Sequence, residues 1–268
     1  MDKQIVVFTD LDGSLLDHNS YSYKPALPCL TFIRENNIPL IYTSSKTAVE
    51  IEQLCHRSDF HHPYIAENGG LLGTPKHYFS ETQTSTVYTK NIIGIKRETI
   101  LQILKTLKPS FNFKSFHDMS IDELVEHTGL KHEDAVYAKQ RDSTEPLLWL
   151  DDELKLDEFA SHLEPHSLTL VRGGRFQHVM GEHDKATTMQ LLIEQFKQHK
   201  DQPVISIALG DSPNDLKMLK TATHSILIPN PHAPKMCDVN HANLLHAEHP
   251  GPQGWNDSLF ALLKELIT

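Results

Sequence analysis

The chain has 268 residues, enough for one large domain or two modest ones, and its 39% hydrophobic and 22% charged residues form an ordinary globular mix that excludes disorder and collagen-like repeats. A formal net charge of −10 with no basic run argues against polyanionic partners, so neither nucleic acid nor an anionic membrane surface is expected. No stretch approaches the ~18 apolar residues of a bilayer span, and the apolar run 5–8 is too short for a signal-peptide core, so a cytoplasmic protein is expected.

In chain order, residues 5–8 are a short Ile/Val run that predicts a buried strand. Residues 25–35 place Leu27, Leu30 and Ile33 on one helical face. Residues 38–42 predict a second buried strand, and 47–55 a helix with Val49, Ile51 and Leu54 inward. The middle reads differently. It holds short strand-like pieces (85–89, 146–150, 167–171, 175–180) and helical pieces (96–107, 121–127, 151–163), with Gly173-Gly174 between the last two strands as a hairpin. Helix 184–197 follows, carrying Ala186, Met189, Ile193 and Phe196 at helical spacing. Strands at 204–209 and 225–228 come next, then an irregular crossing segment over 229–252. Strand alternating with helix at both ends predicts an α/β fold, a Rossmann-like parallel-sheet core with an inserted α+β cap domain. The expected division is core over 1–83, cap over 84–180 and core again over 181–268, with hinges near 82–86 and 180–184. Cys29, Cys55 and Cys237 are too sparse for a disulfide framework. Cys55-His56 and His61-His62 lack the ligand spacing of a zinc site, and a solvated loop is the better reading.

The chemistry concentrates at strand ends. Phe8-Thr9-Asp10-Leu11-Asp12-Gly13-Ser14 ends a buried strand in two acids one residue apart. Two such anions repel by about 4 kcal/mol at ~4 Å and an effective dielectric near 20, so they need a cation or a shared proton. Taken alone, Asp-x-Asp-Gly fits a turn or a helix cap equally well. A second strand end changes the balance: Gly210-Asp211-Ser212-Pro213-Asn214-Asp215 supplies two more acids one helical turn apart. Four acids at two strand tips call for a hard divalent cation with oxygen ligands, Mg²⁺ above others. Thr43-Ser44-Ser45-Lys46 offers hydroxyls, N–H groups and an ammonium at a helix start, which suits either an anion site or an N-cap. Lys185 opens an amphipathic helix, where a cation opposes the helix dipole. It is either a solvated lysine or the partner of a charged group.

Taken together, Asp10-Leu11-Asp12-Gly13-Ser14, Ser44, Lys185 and Gly210-Asp211-Ser212-Pro213-Asn214-Asp215 resemble the four motifs of the haloacid dehalogenase superfamily of phosphatases. Ser14 stands where threonine is usual, and Ala186 where glycine is frequent. The long insert and Glu67-Asn68-Gly69 resemble its sugar-phosphatase branch. Thr43-Ser44-Ser45-Lys46-Thr47, Ala66-Glu67-Asn68-Gly69-Gly70, Gln140-Arg141-Asp142-Ser143-Thr144-Glu145-Pro146, Gly173-Gly174-Arg175-Phe176-Gln177-His178 and Gly251-Pro252-Gln253-Gly254-Trp255-Asn256 resemble the mannosyl-3-phosphoglycerate phosphatases over nearly the whole chain.

The resemblance implies Asp10 as nucleophile, forming an aspartyl-phosphate, with Asp12 as general acid and then base. It implies Ser44, the Ser45 N–H and Lys185 on the phosphoryl group. Mg²⁺ is expected on Asp10, Asp12 (through its carbonyl) and Asp211, with Asp215 and Asn214 supporting. The expected partner is a small phosphorylated glycoside or sugar phosphate. For its carboxylate, Arg141, Arg172 and Arg175 are candidates, a surface or local ion-pair role being the other reading. His178 could meet a sugar hydroxyl or be a core or surface histidine. Lys46, Glu67 and Asn68 could line the pocket or only shape the chain, and Trp255 reads as a packed aromatic. A broader sugar phosphatase shares the chemistry. A receiver-like phospho-aspartate signalling domain shares part of it, but would need neither Asp12 nor the insert over 84–180.

Overall fold

A computed structural model describes residues 3–80, 85–173, 175–231 and 241–267. Cys237, Gly174 and part of the hinge expected near 82–86 lie outside the described residues. The elements run β1 (Gln4–Thr9), α1 (Leu27–Glu35), β2 (Leu40–Tyr42), α2 (Ala48–Ser58), β3 (Tyr64–Ala66), β4 (Leu71–Pro75) and β5 (Tyr88–Ile92). Next come α3 (Arg97–Leu107), β6 (Phe113–Ser115), α4 (Ile121–Thr128), α5 (His132–Ala138), β7 (Thr144–Trp149), α6 (Leu156–Leu163), β8 (Leu168–Gly173) and β9 (Phe176–Gly181). The chain closes with α7 (Lys185–Lys200), β10 (Val204–Gly210), α8 (Leu216–Thr221), β11 (His224–Leu227), β12 (Leu244–His246) and α9 (Gly251–Ile267).

Five strands form a parallel sheet in the order β12-β11-β10-β1-β2. Its strands are apolar on both faces because helices cover both. Val7, Tyr42, Ile207 and Leu209 pack with Ile33, Ile51 and Trp255 on one side. Val6, Phe8, Ile41 and Ala208 pack with Met189, Phe196 and Leu219 on the other. The alternation of Val6 and Phe8 against Val7 is the period-two pattern of a strand buried on two faces. Register then fixes where the loops emerge. Thr9 lies opposite Leu209 and Tyr42, and Gly210 opposite Leu227, so Asp10, Thr43, Asp211 and Ile228 all leave the sheet at one edge. β3 extends this edge through a parallel bridge between Thr43 and Ile65. It also starts a three-stranded antiparallel sheet, β3-β4-β5, which ties residues 88–92 to the main body.

Residues 97–181 build a second unit around a four-stranded antiparallel sheet, β6-β7-β9-β8. α3 and α6 cover one face through Ile100, Leu104, Phe159 and Leu163, packed on Leu147 and Val179. The small helices α4 and α5 cover the other through Leu124 and Ala135, packed with Phe116 and Phe176. No helix among the described residues is long and apolar enough to cross a membrane.

Candidate active site

The acids converge where the register places them. Asp10, Asp211 and Asp215 are buried, and each offers a carboxylate oxygen within 4.8 Å of the others. No other group of His, Cys, Asp or Glu among the described residues is arranged to hold a metal ion. In particular, His62 is turned to the Tyr78 hydroxyl at 2.7 Å, and Cys55 is buried in the main core. Lys185, 1% exposed, reaches the cluster from the first turn of α7 and donates to Asp10 Oδ1 at 2.6 Å and Asp215 Oδ1 at 2.7 Å.

Each acid is held differently. Asp10 N–H bonds the Leu209 carbonyl at 2.9 Å, and its own carbonyl accepts from Thr9 Oγ1 at 2.7 Å. Thr9 Oγ1 in turn accepts from the fully buried Trp255 indole at 2.8 Å, so Trp255 is a packed aromatic whose polar tip braces the Asp10 peptide. Asp215 Oδ2 accepts from the N–H groups of Asp211 and Ser212 and from Ser212 Oγ, all at 3.1 Å. Both its oxygens are therefore engaged. Asp211 Oδ2 takes the Asn230 amide at 2.5 Å, while its Oδ1 is buried without a partner. Gly13 has φ +84°, and a Cβ there would lie 2.3 Å from Asp211 Oδ2. Only glycine lets the first loop pass this close to the fourth.

The electrostatics follow from burial. Desolvation pushes the Asp10 carboxyl well above its ordinary range; Lys185 opposes this, and Asp215 and Asp211 add to it. Burial, reinforced by Asp215, pushes Asp211 up to about 7. Although burial works against its charge, Lys185 is held above its ordinary value by Asp10 and Asp215. Ionised together, the three carboxylates would outnumber the one ammonium, so they need a further cation or a proton. Together with the orphaned Asp211 oxygen and an all-oxygen donor set, this fits a hard divalent cation.

At the rim, Asp12 is about one-third exposed and pairs with Lys46 at 2.9 Å. Lys46 also lies 3.8 Å from Glu50 and 5.2 Å from the Tyr21 ring centroid. Despite burial, Asp12 and Glu50 keep its ammonium above the ordinary value. Ser44 is buried at the end of β2, where its Oγ accepts from the Lys46 N–H at 3.2 Å. Thr47 caps α2 in a reciprocal box with Glu50. Asn68 Oδ1 accepts from Asn214 Nδ2 at 3.0 Å, and Asn214 Oδ1 accepts from Ser212 Oγ at 2.5 Å. The two asparagines thus join neighbouring loops.

The second unit brings some of the expected residues here and not others. Arg141 donates to the Ser45 carbonyl from both terminal nitrogens, at 3.3 and 3.0 Å. His178 is buried with Nδ1 unpartnered, and burial, aided by Arg141, lowers its pKa to about 3, so the ring is neutral. Glu67 is fully buried, with its carboxylate bonded to the 142–144 turn rather than open to a ligand. Arg172 has the local ion pair of its other reading. It pairs in register with Gln177, whereas His178 pairs with Val171, so strand alternation points it to the opposite face, toward Glu153 at 3.9 Å. Arg175 also has a local partner: its guanidinium bonds the Thr128 carbonyl at 2.7 Å, at the end of α4. Sequence reasoning missed Asn230. The available signal was the one used for Asp10 and Asp211, a polar residue just past the carboxyl end of a buried parallel strand.

A parallel sheet whose loops gather buried acids and one lysine at a single edge defines a class of enzyme built to handle an anionic group at an aspartate. The comparisons make this specific. A family profile described as haloacid dehalogenase-like hydrolase matches residues 7–235. The chain belongs to that family and is a phosphatase. Among curated proteins it is 35% identical, over 98% of both chains, to a glucosyl-3-phosphoglycerate/mannosyl-3-phosphoglycerate phosphatase of Persephonella marina. It is 34% identical to a protein of the same name from Methanococcoides burtonii, over 96% of this chain and 97% of that one. Among solved structures, one from Thermoplasma acidophilum superposes with a TM-score of 0.68 at 15% identity, covering 98% of each chain, a likeness of fold.

Proposed function

We propose that this phosphatase is Mg²⁺-dependent and hydrolyses mannosyl-3-phosphoglycerate to mannosylglycerate and phosphate through an aspartyl-phosphate on Asp10. The observation that carries the reading is Lys185 bridging Asp10 and Asp215 beside Asp211, on a chain about one-third identical from end to end to enzymes named for that substrate and its glucosyl analogue. Asp10 and Asp211 would hold Mg²⁺ together with the Asp12 carbonyl. Asp215, saturated by protein donors, keeps the fourth loop and Lys185 in place. Bound there, the cation would supply charge neutralisation for an approaching phosphate dianion.

The remaining chemistry belongs to the chain's own residues. Asp10 Oδ forms the bond to phosphorus as the glycerate oxygen leaves. Asp12, at the exposed rim where a leaving group would sit, gives that oxygen its proton and later takes one from the water that cleaves the acyl phosphate. Lys185 favours the ionised nucleophile, an effect a bound cation would complete, and Ser44 and the Ser45 N–H would bind the phosphoryl oxygens. The second unit acts as a cap that chooses the substrate, Arg141 and His178 being its candidate contacts, with Lys46 and Asn68 facing them from the main body. A cytoplasmic location accords with buried free thiols at Cys29 and Cys55.

Phosphate release measured over a panel of glycosyl-3-phosphoglycerates and hexose phosphates, with Mg²⁺ or with chelator, tests this. Preference for a plain hexose phosphate would replace the substrate by a broader sugar-phosphate class, and full turnover in chelator would remove the cation. Asp12→Asn is expected to lower turnover by about 10²–10⁴-fold while phosphorylated protein accumulates. Full turnover in Asp10→Ala would end the reading of Asp10 as nucleophile.

A further inference from the structure

The turn after β3 does more than follow a strand. Glu67 has φ +51° and Asn68 φ +58°, a left-handed pair of non-glycine residues held in place by bonds on every side. The Glu67 N–H donates to the Lys46 carbonyl at 2.9 Å, and the Asn68 N–H to the Ser44 carbonyl at 3.0 Å. Asn68 bonds Asn214, and the Gly69 carbonyl accepts from Thr188 Oγ1 on α7 at 2.7 Å. The backbone of this turn is thus fastened to the 44–46 loop and to the second half of the main body.

The Glu67 side chain faces the other way, into the second unit. Its Oε1 accepts from the Asp142 N–H at 2.7 Å, and its Oε2 from the Ser143 N–H at 3.1 Å and Thr144 Oγ1 at 2.6 Å. Thr144 Oγ1 in turn accepts from Arg141 Nη1 at 2.7 Å, and Arg141 bonds the Ser45 carbonyl. A closed circuit results, from the 44–46 loop through Glu67 and Thr144 to Arg141 and back to the same loop. Its centre is a fully buried carboxylate compensated by three donors of the second unit.

We propose that Glu67 is a positioning residue, a latch by which the main body seats the 141–145 segment over the 44–46 loop, so that the second unit meets the substrate in register with the reacting groups. Glu67 acts through Arg141 and Thr144 and does not itself contact substrate. Charge and acceptor count are what the latch needs. In Glu67→Gln the volume is kept, but an NH₂ faces an N–H donor whichever way the amide turns, leaving a buried donor unmet. Each unit retains its own apolar core, so the loss is one of seating rather than of folding.

The inference rests on the phosphatase reading but not on the identity of the sugar. The test therefore compares p-nitrophenyl phosphate, too small to need the second unit, with whichever sugar phosphate the wild type prefers. A wrong substrate assignment would show in the wild-type panel, and a wrong latch in the variant-to-wild-type ratios. In Glu67→Gln, kcat/KM for the sugar phosphate is expected to fall at least tenfold further than for p-nitrophenyl phosphate, mainly through KM. The amides of Asp142 and Ser143 are expected to exchange hydrogen at least tenfold faster, with β10 and α7 unchanged. Thr144→Val, which removes the hydroxyl from the other side of the circuit, is expected to show the same selectivity, and the double variant no more than the stronger single. Equal losses on both substrates, no loss on either, additive effects or unchanged exchange at 142 and 143 would each overturn the proposal. If Glu67→Gln does not fold, Thr144→Val alone decides by the same ratio and the same exchange.

Discussion

At the scale of single residues, the site is a matter of which carboxylate oxygens are already taken. Asp215 has none to spare, whereas Asp211 retains a buried oxygen without a partner. That contrast separates a group that holds its neighbours from one that awaits a ligand, a distinction that one-residue spacing in a sequence does not carry. Gly13 belongs to the same calculation. Gly13→Ala meets both a positive φ and a Cβ 2.3 Å from Asp211 Oδ2, so Asp211 must move. The backbone strain alone costs about 1–2 kcal/mol. The expected result is a lower melting temperature together with a smaller rise on adding Mg²⁺. An unchanged Mg²⁺-induced rise would show that Asp211 had not been displaced.

Elements set these residues at one edge, and most of that was legible. The buried strands announce themselves as continuous apolar runs because both faces are covered, so the runs at 5–8 and 204–209 fall within β1 and β10. The acids were legible for the same reason, since polar residues directly after such a run must sit at a strand tip. What escaped was short, or masked by turn chemistry. β12 has three residues amid histidines and prolines at the sheet edge. α9 begins Gly-Pro-Gln-Gly, which reads as a turn although the helix continues to Ile267. The two readings of Arg172 stayed open because composition says nothing of register, and a step of one residue reverses the face. Helix α2 shows how an element end serves both stability and assembly. Thr47 Oγ1 accepts from the Glu50 N–H and also donates to the Tyr137 carbonyl of α5 at 3.0 Å. Thr47→Ala is expected to cost about 1 kcal/mol, a fall in melting temperature of roughly 2–4 °C for a chain of this size. Thr47→Ser should restore most of it. A Thr47→Ala protein melting with the wild type would mean that neither bond contributes.

For the whole molecule, the buried acids couple stability, pH and cation. Without metal, the folded state holds the Asp211 proton up to about pH 7, against an ordinary carboxyl value of 3.8. Between those values the folded state binds more protons than the unfolded one, so this group's contribution declines as pH rises from about 4 to 7 and is level above. A divalent cation displaces that proton, so its binding strengthens over the same range. The Mg²⁺-induced rise in melting temperature is therefore expected to be larger at pH 8 than at pH 5. An equal rise at both would exclude Asp211 as a ligand. His178 works in the opposite sense: kept neutral with a value near 3, it favours the fold above its ordinary 6.5 and progressively less as pH falls below that.

The circuit through Ser45, Glu67, Thr144 and Arg141 also bears on how such a chain can diversify. The seam between the two units is written on both sides, in a carbonyl and a carboxylate of the main body as well as in an arginine and a threonine of the second unit. A chimera that moves residues 97–181 of this chain onto a main body without Glu67 would leave the Asp142 and Ser143 N–H groups and the Thr144 hydroxyl without their acceptor, so on the latch proposed above the short turn at 67–69 has to move with them.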